Sequence, residues 1–286
     1  MANVRTIETN GIALEVTFDG PEDGRPVLLL HGFPECAHTW RKQIPVLAAA
    51  GYRVIAPDQR GYGRSSRPRE IAAYRRSELV KDLVGLLDAL NVTKADIVSH
   101  DWGGAIGWYL AESRPDRVNR LAVLNCPHPS VFAKALRNSR QQKRKSSYMV
   151  FFQIPKIPEW WLSRSDFSGL VARLRGMAHA HAFSEADFEI YKERWRQPDA
   201  MRGMLNWYRA AARFPEKGKS ASIEVPTLLL WGVNDAVLGE ELAEASIARC
   251  THGRLHRVQN AGHFVQVDAP EEVNQQLLAF LSAPAN

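Results

Sequence analysis

Six short apolar runs, each ending in turn-forming or polar residues, constrain the fold of this chain more than any other feature. They are VLLLHG (27–32), YRVIAPD (52–58), ADIVSHD (95–101), LAVLNC (121–126), TLLLWG (227–232) and RLHRVQ (254–259). Each has the length and composition of a buried strand. Helical patterns lie between them. In SELVKDLVGLLDAL (77–90), Leu79, Val80, Leu83, Leu86, Leu87 and Leu90 share one helix face. PEEVNQQLLAFL (270–281) opens with Pro270, which suits a first helical turn. Such alternation predicts an α/β fold, a mostly parallel twisted sheet flanked by helices on both faces.

One interval breaks the alternation. From about Pro127 to Glu224 there is no buried-strand run, while tryptophans, tyrosines and helix formers are plentiful. An inserted helical cap is expected there, above the strand ends where open α/β sheets place their sites. The 286 residues then divide into a core of residues 1–128 and 223–286 and a cap (lid) of residues 129–222.

Composition narrows the function classes. With 45% hydrophobic and 24% charged residues the chain reads as soluble and globular. It has no signal-peptide pattern and no apolar run near the roughly 20 residues of a membrane span, so a cytoplasmic location is expected. Cys36, Cys126 and Cys250 show no C-x-x-C spacing, which argues against a disulfide framework and a zinc site. The net charge of +6 is concentrated in part in KALRNSRQQKRKSS (134–147). That run lacks interleaved aromatics and any nucleic-acid-binding motif, so a solvated face is expected and no nucleic-acid partner. No interface signal separates a monomer from a homodimer.

The chemistry starts at VSHDWGGAIG (98–107), which has the layout of a nucleophile elbow. Small residues, Ser99 and Gly103, flank the tip of a strand-to-helix turn, but the tip is Asp101 where the common G-x-S-x-G form has serine. Partners follow in the order such sites use: nucleophile, acid, histidine. Asp235 lies just past TLLLWG in WGVND, and His263 lies in NAGHF after RLHRVQ. His263 is the expected base, with Asp235 orienting and charging its imidazole. A lone loop histidine is more often structural, but all three residues in this order make chance a poor explanation. In HGFPE (31–35) the backbone turns away from a strand end, and the Phe33 and Trp102 N–H groups are assigned to an oxyanion hole. A plain turn is the alternative.

Aspartate at the tip selects the substrate. Serine attacking saturated carbon would leave an ether that this machinery cannot hydrolyse. Aspartate leaves an ester, whose carbonyl water activated by His263 can attack while the two amides hold the oxyanion. Asp101 therefore implies an electrophilic sp³ carbon.

HGFPE, DQRGYGRS (58–65), SHDWGG (99–104), WGVND (231–235) and AGHF (261–264) together resemble the epoxide hydrolases of the α/β-hydrolase superfamily, over nearly the whole chain and in motif order. The resemblance implies the α/β-hydrolase fold and conversion of an apolar epoxide and water to a vicinal diol without metal or organic cofactor. It also implies a cis peptide at Phe33-Pro34. SYMVFFQ (147–153) and LNWYRA (205–210) resemble the segments that carry the ring-opening tyrosines, which maps those roles onto Tyr148 and Tyr208. By pattern alone, either tyrosine could equally be a packed lid residue.

Haloalkane and haloacetate dehalogenases share much of this pattern, so the leaving group must decide. An epoxide leaves as an alkoxide, which needs a proton donor, and tyrosine with a reference pKa of about 10 suits that need. A halide needs weak N–H donors instead. Position 33 is phenylalanine where haloalkane dehalogenases commonly have asparagine, and the elbow helix continues with Ala105 and Trp108 rather than arginines for a haloacetate carboxylate. Trp102 remains compatible with halide. A ligand-binding protein that kept the fold is the non-enzyme alternative. Trp40, Phe151, Phe152, Trp160, Trp161 and Trp207 are expected to line an apolar tunnel. His100 and His31 are expected to be structural, and Ser99 and Ser65 are off the tip, which argues against a serine esterase.

Overall fold

Short buried runs that pair side by side need both sheet faces covered, and this chain supplies the covers on alternate sides. The computed structural model describes residues 3–216 and 222–283. Residues 217–221, within the expected cap, lie outside the described residues, as do both extreme termini. The strands are β1 (Asn3–Thr9), β2 (Ile12–Asp19), β3 (Arg25–Leu30), β4 (Tyr52–Pro57), β5 (Ala95–His100), β6 (Val118–Leu124), β7 (Thr227–Gly232) and β8 (Gly253–Val258). They form one sheet in the order β1-β2-β4-β3-β5-β6-β7-β8. Pairing is parallel from β4 through to β8, while β1 with β2 and β2 with β4 are antiparallel.

All six expected strands are present. The two additional ones escape a search for apolar runs because β2 alternates, with Ile12, Leu14, Val16 and Phe18 buried and the residues between them partly exposed. That period of two marks a half-covered antiparallel strand. A second signal stands at Asn10-Gly11, where both residues have positive φ, +43° and +71°. Asn-Gly is the preferred pair for a two-residue hairpin turn of this kind.

The helices of the first part are α1 (Ile44–Ala49), α2 (Arg76–Ala89) and α3 (Asp101–Ser113). Between β6 and β7 come α4 (Pro129–Asn138), α5 (Arg140–Lys145), α6 (Tyr148–Phe151), α7 (Ile157–Met177), α8 (Glu185–Trp195) and α9 (Ala200–Arg213). The chain ends with α10 (Glu241–Ile247), α11 (Val265–Asp268) and α12 (Pro270–Leu281). Helix α7 is broken at residues 164–167, where Ser165, Asp166 and Phe167 all have positive φ.

Alternate residues of each central strand feed opposite cores. Leu28, Leu30, Ile97 and Leu229 join one cluster with the apolar faces of α2 and α3, and all six expected apolar residues of α2 and its cap are buried in it. Val27, Leu29, Val98, Leu228 and Leu230 join the other, against Ile44 and Leu47 of α1 and Val273, Leu277 and Leu281 of α12. At about 1.5–3 kcal/mol per fully buried aliphatic side chain, these two layers supply the main stabilising contribution. Helices α4–α9 carry no strand among the described residues, in line with the expected helical interval. They are tied to the loops at the strand ends. The Trp195 indole donates to the Pro34 carbonyl at 2.7 Å and the Trp207 indole to the Arg60 carbonyl at 2.9 Å.

Candidate active site

Strand β5 passes into α3 at Asp101, whose φ of +48° is left-handed. Such a conformation costs a non-glycine residue about 1–3 kcal/mol and collects at functional positions. Close packing makes the small residues around it obligatory. A Cβ on Gly103 would stand 2.3 Å from the Leu30 carbonyl oxygen, and one on Gly32 would stand 2.4 Å from the Asp101 Cβ. The tip is thereby pushed out of the sheet toward the helices above.

The carboxylate at the tip has two different oxygens. Oδ1 accepts a hydrogen bond from the Phe33 N–H at 2.8 Å. Oδ2 faces His263 Nε2 at 3.6 Å. His263 Nδ1 is 2.8 Å from Asp235 Oδ2, so the three residues form one continuous chain. Asp235 is itself fixed: its Oδ1 accepts from the Val237 and Leu238 amides at 2.7 and 2.9 Å, and its Oδ2 from the Asn125 side chain at 2.8 Å. The peptide Phe33-Pro34 is cis.

Charge balance within this buried group is strong. Burial works to raise the pKa of Asp101, but the hydrogen bond and charge of His263 outweigh it and hold the carboxyl below its ordinary value. Burial likewise opposes ionisation of Asp235, and His263 again reverses the effect. Burial alone would lower His263. The Asp235 charge and the hydrogen bond to Asp101 instead hold it well above the usual imidazole range.

A cavity of about 380 Å³ opens over this triad. Asp101 and His263 form its floor, and Tyr148 and Tyr208 enter from α6 and α9. Their rings lie 6.0 Å apart at 76°, and the Tyr208 ring meets Trp102 edge-on at 4.9 Å and Phe33 at 5.3 Å. Burial first pushes both phenols well up from their ordinary value, aided at Tyr148 by the Asp101 charge and at Tyr208 by Tyr148 and then Asp101, so both keep their protons.

The expected aromatic lining divides. Phe151, Phe152 and Trp161 do line the cavity. Trp40, Trp160 and Trp207 do not. Trp40 is fully buried in the cluster against α1 and α12, on the side of the sheet away from Tyr148 and Tyr208. Trp160 is 64% exposed and lines a separate surface groove with Trp195 and Arg202, because one residue along a helix turns the side chain about 100° from Trp161. Trp207 is spent in packing against Tyr62 and in its hydrogen bond to Arg60.

Histidines 31 and 100 are fully buried, held in hydrogen bonds and outside the cavity lining. His31 Nε2 accepts from the Gln59 amide at 3.1 Å. His100 lies between Glu35, at 2.8 Å from its Nδ1, and the His263 carbonyl, to which Nε2 donates at 2.8 Å. Glu35 is buried. Burial would raise its pKa, but the charge and hydrogen bond of His100 keep it lowered. This pair holds the backbone carbonyl of His263. Two supporting residues went unassigned in the sequence. Asn125 directly follows the last strand residue within LAVLNC, and a polar residue at the carboxyl end of a buried parallel strand is itself a site signal. Glu35 sits inside HGFPE, where only the amides drew attention. Among the described residues, no cluster of three or more His, Cys, Asp or Glu side chains could hold a metal ion. No helix of the described residues is long and apolar enough to cross a membrane.

The mostly parallel eight-stranded sheet with Asp101, Asp235 and His263 at its carboxyl edge defines an α/β hydrolase. The alpha/beta hydrolase fold family model matches residues 25–270. The chain is 41% identical to the AB hydrolase superfamily protein YfhM of Bacillus subtilis over 275 residues, 96% of each chain. It is 38% identical to human Epoxide hydrolase 4, covering 96% of this chain and 77% of that one. The crystal structure of the Bacillus megaterium epoxide hydrolase in complex with an inhibitor superposes with a TM-score of 0.88 at 29% identity, over 98% of this chain and all of that one. The chain belongs to the α/β-hydrolase superfamily, in its epoxide hydrolase family.

Proposed function

We propose that this protein hydrolyses an apolar epoxide to a vicinal diol through an alkyl ester on Asp101, without metal or organic cofactor. The observation that carries the reading is the facing of Asp101 by two protonated phenols across one cavity. Helices α4–α9 act as the cap that presents those phenols, and the rest of the chain as the core.

The two Asp101 oxygens have separate tasks. Oδ2, free of backbone donors, attacks an oxirane carbon, and the carbon–oxygen bond of the ring breaks toward Tyr148 and Tyr208. One phenol gives its proton to the departing alkoxide and the other shares the resulting phenolate charge. Oδ1 becomes the ester carbonyl oxygen, already held by the Phe33 N–H. The Trp102 amide lies in the first turn of α3, where it has no intrahelical acceptor, and serves as the second donor. His263 Nε2 then takes a proton from water, the hydroxide attacks the ester carbonyl, and collapse of the tetrahedral state releases the diol. The proton taken by His263 returns to the phenolate, so the cycle closes on epoxide plus water.

Alkylation itself switches the site between steps. Asp101 loses its negative charge when the ester forms. Its contributions to the raised pKa values of His263, Tyr148 and Tyr208 then vanish together. The phenols become better acids as the alkoxide appears, and the imidazole becomes free to act as a base.

The dehalogenase alternative is disfavoured by Phe33, whose side chain offers no halide donor and packs on Tyr208. A cytoplasmic enzyme is proposed, with Cys36, Cys126 and Cys250 as free thiols. The test is product release from a styrene oxide panel beside halide release from haloalkanes and haloacetates. Diol without halide is expected, and the double variant Tyr148→Phe, Tyr208→Phe should lose diol formation by about 100-fold or more. Halide release without diol, or full activity of the double variant, would refute the reading.

A further inference from the structure

Past its break, helix α7 turns Leu170, Arg173, Leu174 and Met177 to the cavity. The spacing i, i+3, i+4, i+7 is that of a single helix stripe. Arg173 thus holds a position where the pattern calls for an apolar residue. Leu170 and Leu174 are buried while Arg173 is exposed, so its side chain stands where the cavity meets solvent. Its guanidinium lies over the Tyr148 ring at 5.2 Å.

The charge of Arg173 is unmatched in a way its neighbours' charges are not. Arg175, elsewhere on the same helix, pairs with Glu185, and Arg209 pairs with Glu159. His263, the other basic group facing the cavity, is answered by Asp235 and Asp101. Arg173 has no carboxylate within ion-pair distance among the described residues. A cation on an otherwise apolar wall, at its wet end, suits a ligand with an apolar body and an anionic end.

We propose that Arg173 makes this enzyme selective for epoxides that carry a carboxylate, held at the cavity mouth while the oxirane lies between Asp101 and the tyrosine pair. The proposal rests on the epoxide-hydrolase reading above. The planar guanidinium fork matches a carboxylate with two parallel hydrogen bonds. Leu170, Leu174 and Met177 take the apolar stem. The carboxylate keeps contact with water, so its desolvation cost is small. The contact is the same before and during ring opening, and its effect therefore falls on KM rather than kcat.

The experiment compares an epoxyalkanoate with its methyl ester as substrates of the wild type, Arg173→Met and Arg173→Lys. The wild type should favour the acid by roughly 2- to 5-fold in kcat/KM, the size expected of a half-solvated ion pair. The preference should reside in KM and shrink in about 0.5 M salt. Arg173→Met should lose the preference through a rise in KM for the acid, and Arg173→Lys should keep part of it. An unchanged acid-to-ester ratio in Arg173→Met would overturn the proposal. So would an equal fall in kcat for both substrates, which would assign Arg173 to positioning Tyr148 instead. A wild type that turns over neither epoxide would overturn the epoxide-hydrolase reading, and this proposal with it.

Discussion

At the residue scale the site is governed by one charge. Against their burial, His263 keeps the Asp101 pKa below its ordinary value, and Asp235 and Asp101 together keep that of His263 well above its own. A histidine raised in this way is a poor base in the resting enzyme. Once the ester removes the Asp101 charge, its pKa falls, the ring gives up its proton to solvent and the neutral imidazole can take one from water; solvent restores the resting proton when Asp101 is regenerated. As pH drops, the ester-bearing enzyme loses neutral His263 before the resting enzyme loses ionised Asp101, whose pKa lies below its ordinary value. Hydrolysis should therefore slow in mildly acidic solution while alkylation continues. Mass spectrometry of intact enzyme at steady state, between about pH 8 and pH 5, should find the alkylated fraction rising as pH falls. A constant or falling fraction would mean that His263 does not limit the second step.

At the scale of elements, what was legible in the sequence depended on whether burial was one-sided. Fully covered strands announce themselves as apolar runs, and β5 and β7 are buried along their whole lengths. Helix α12 spans the expected residues 270–281. The alternating β2 hid among polar residues, although Asn10-Gly11 marked its turn. Tryptophans told least, because a large apolar ring satisfies a core, a groove or a pocket equally well. Trp40, Trp160 and Trp161 differ in where their backbone aims them, and only the packed structure fixes that. Elements also explain the elbow's intolerance of bulk. Gly103→Ala places a Cβ against the rigid carbonyl of Leu30, which should cost about 1–3 kcal/mol of stability and displace Asp101. Denaturant unfolding and turnover of the same variant should both report the loss; a variant of wild-type stability and rate would show that α3 can shift freely on β3.

On the scale of the whole molecule, the sheet assembles what the chain separates. Phe33, Asp101, Asp235 and His263 follow β3, β5, β7 and β8, and the strand order brings those four ends to one edge of the sheet. The order of motifs was readable because each follows a run that had to be a buried strand. The position of the two tyrosines was not readable from periodicity. It depends on how α6 and α9 settle over that edge, through contacts such as Trp195 with Pro34 and Trp207 with Arg60. Together these layers place a carboxylate, not a hydroxyl, on the cavity floor, and in the proposed reaction this carboxylate is covalently modified in every cycle. A single turnover with enzyme in excess, run in heavy-oxygen water, measures that directly. The first diol is expected to carry only light oxygen, donated by Asp101, with the heavy oxygen found in the peptide containing Asp101. Heavy oxygen in the first-turnover diol, with none in that peptide, would contradict it.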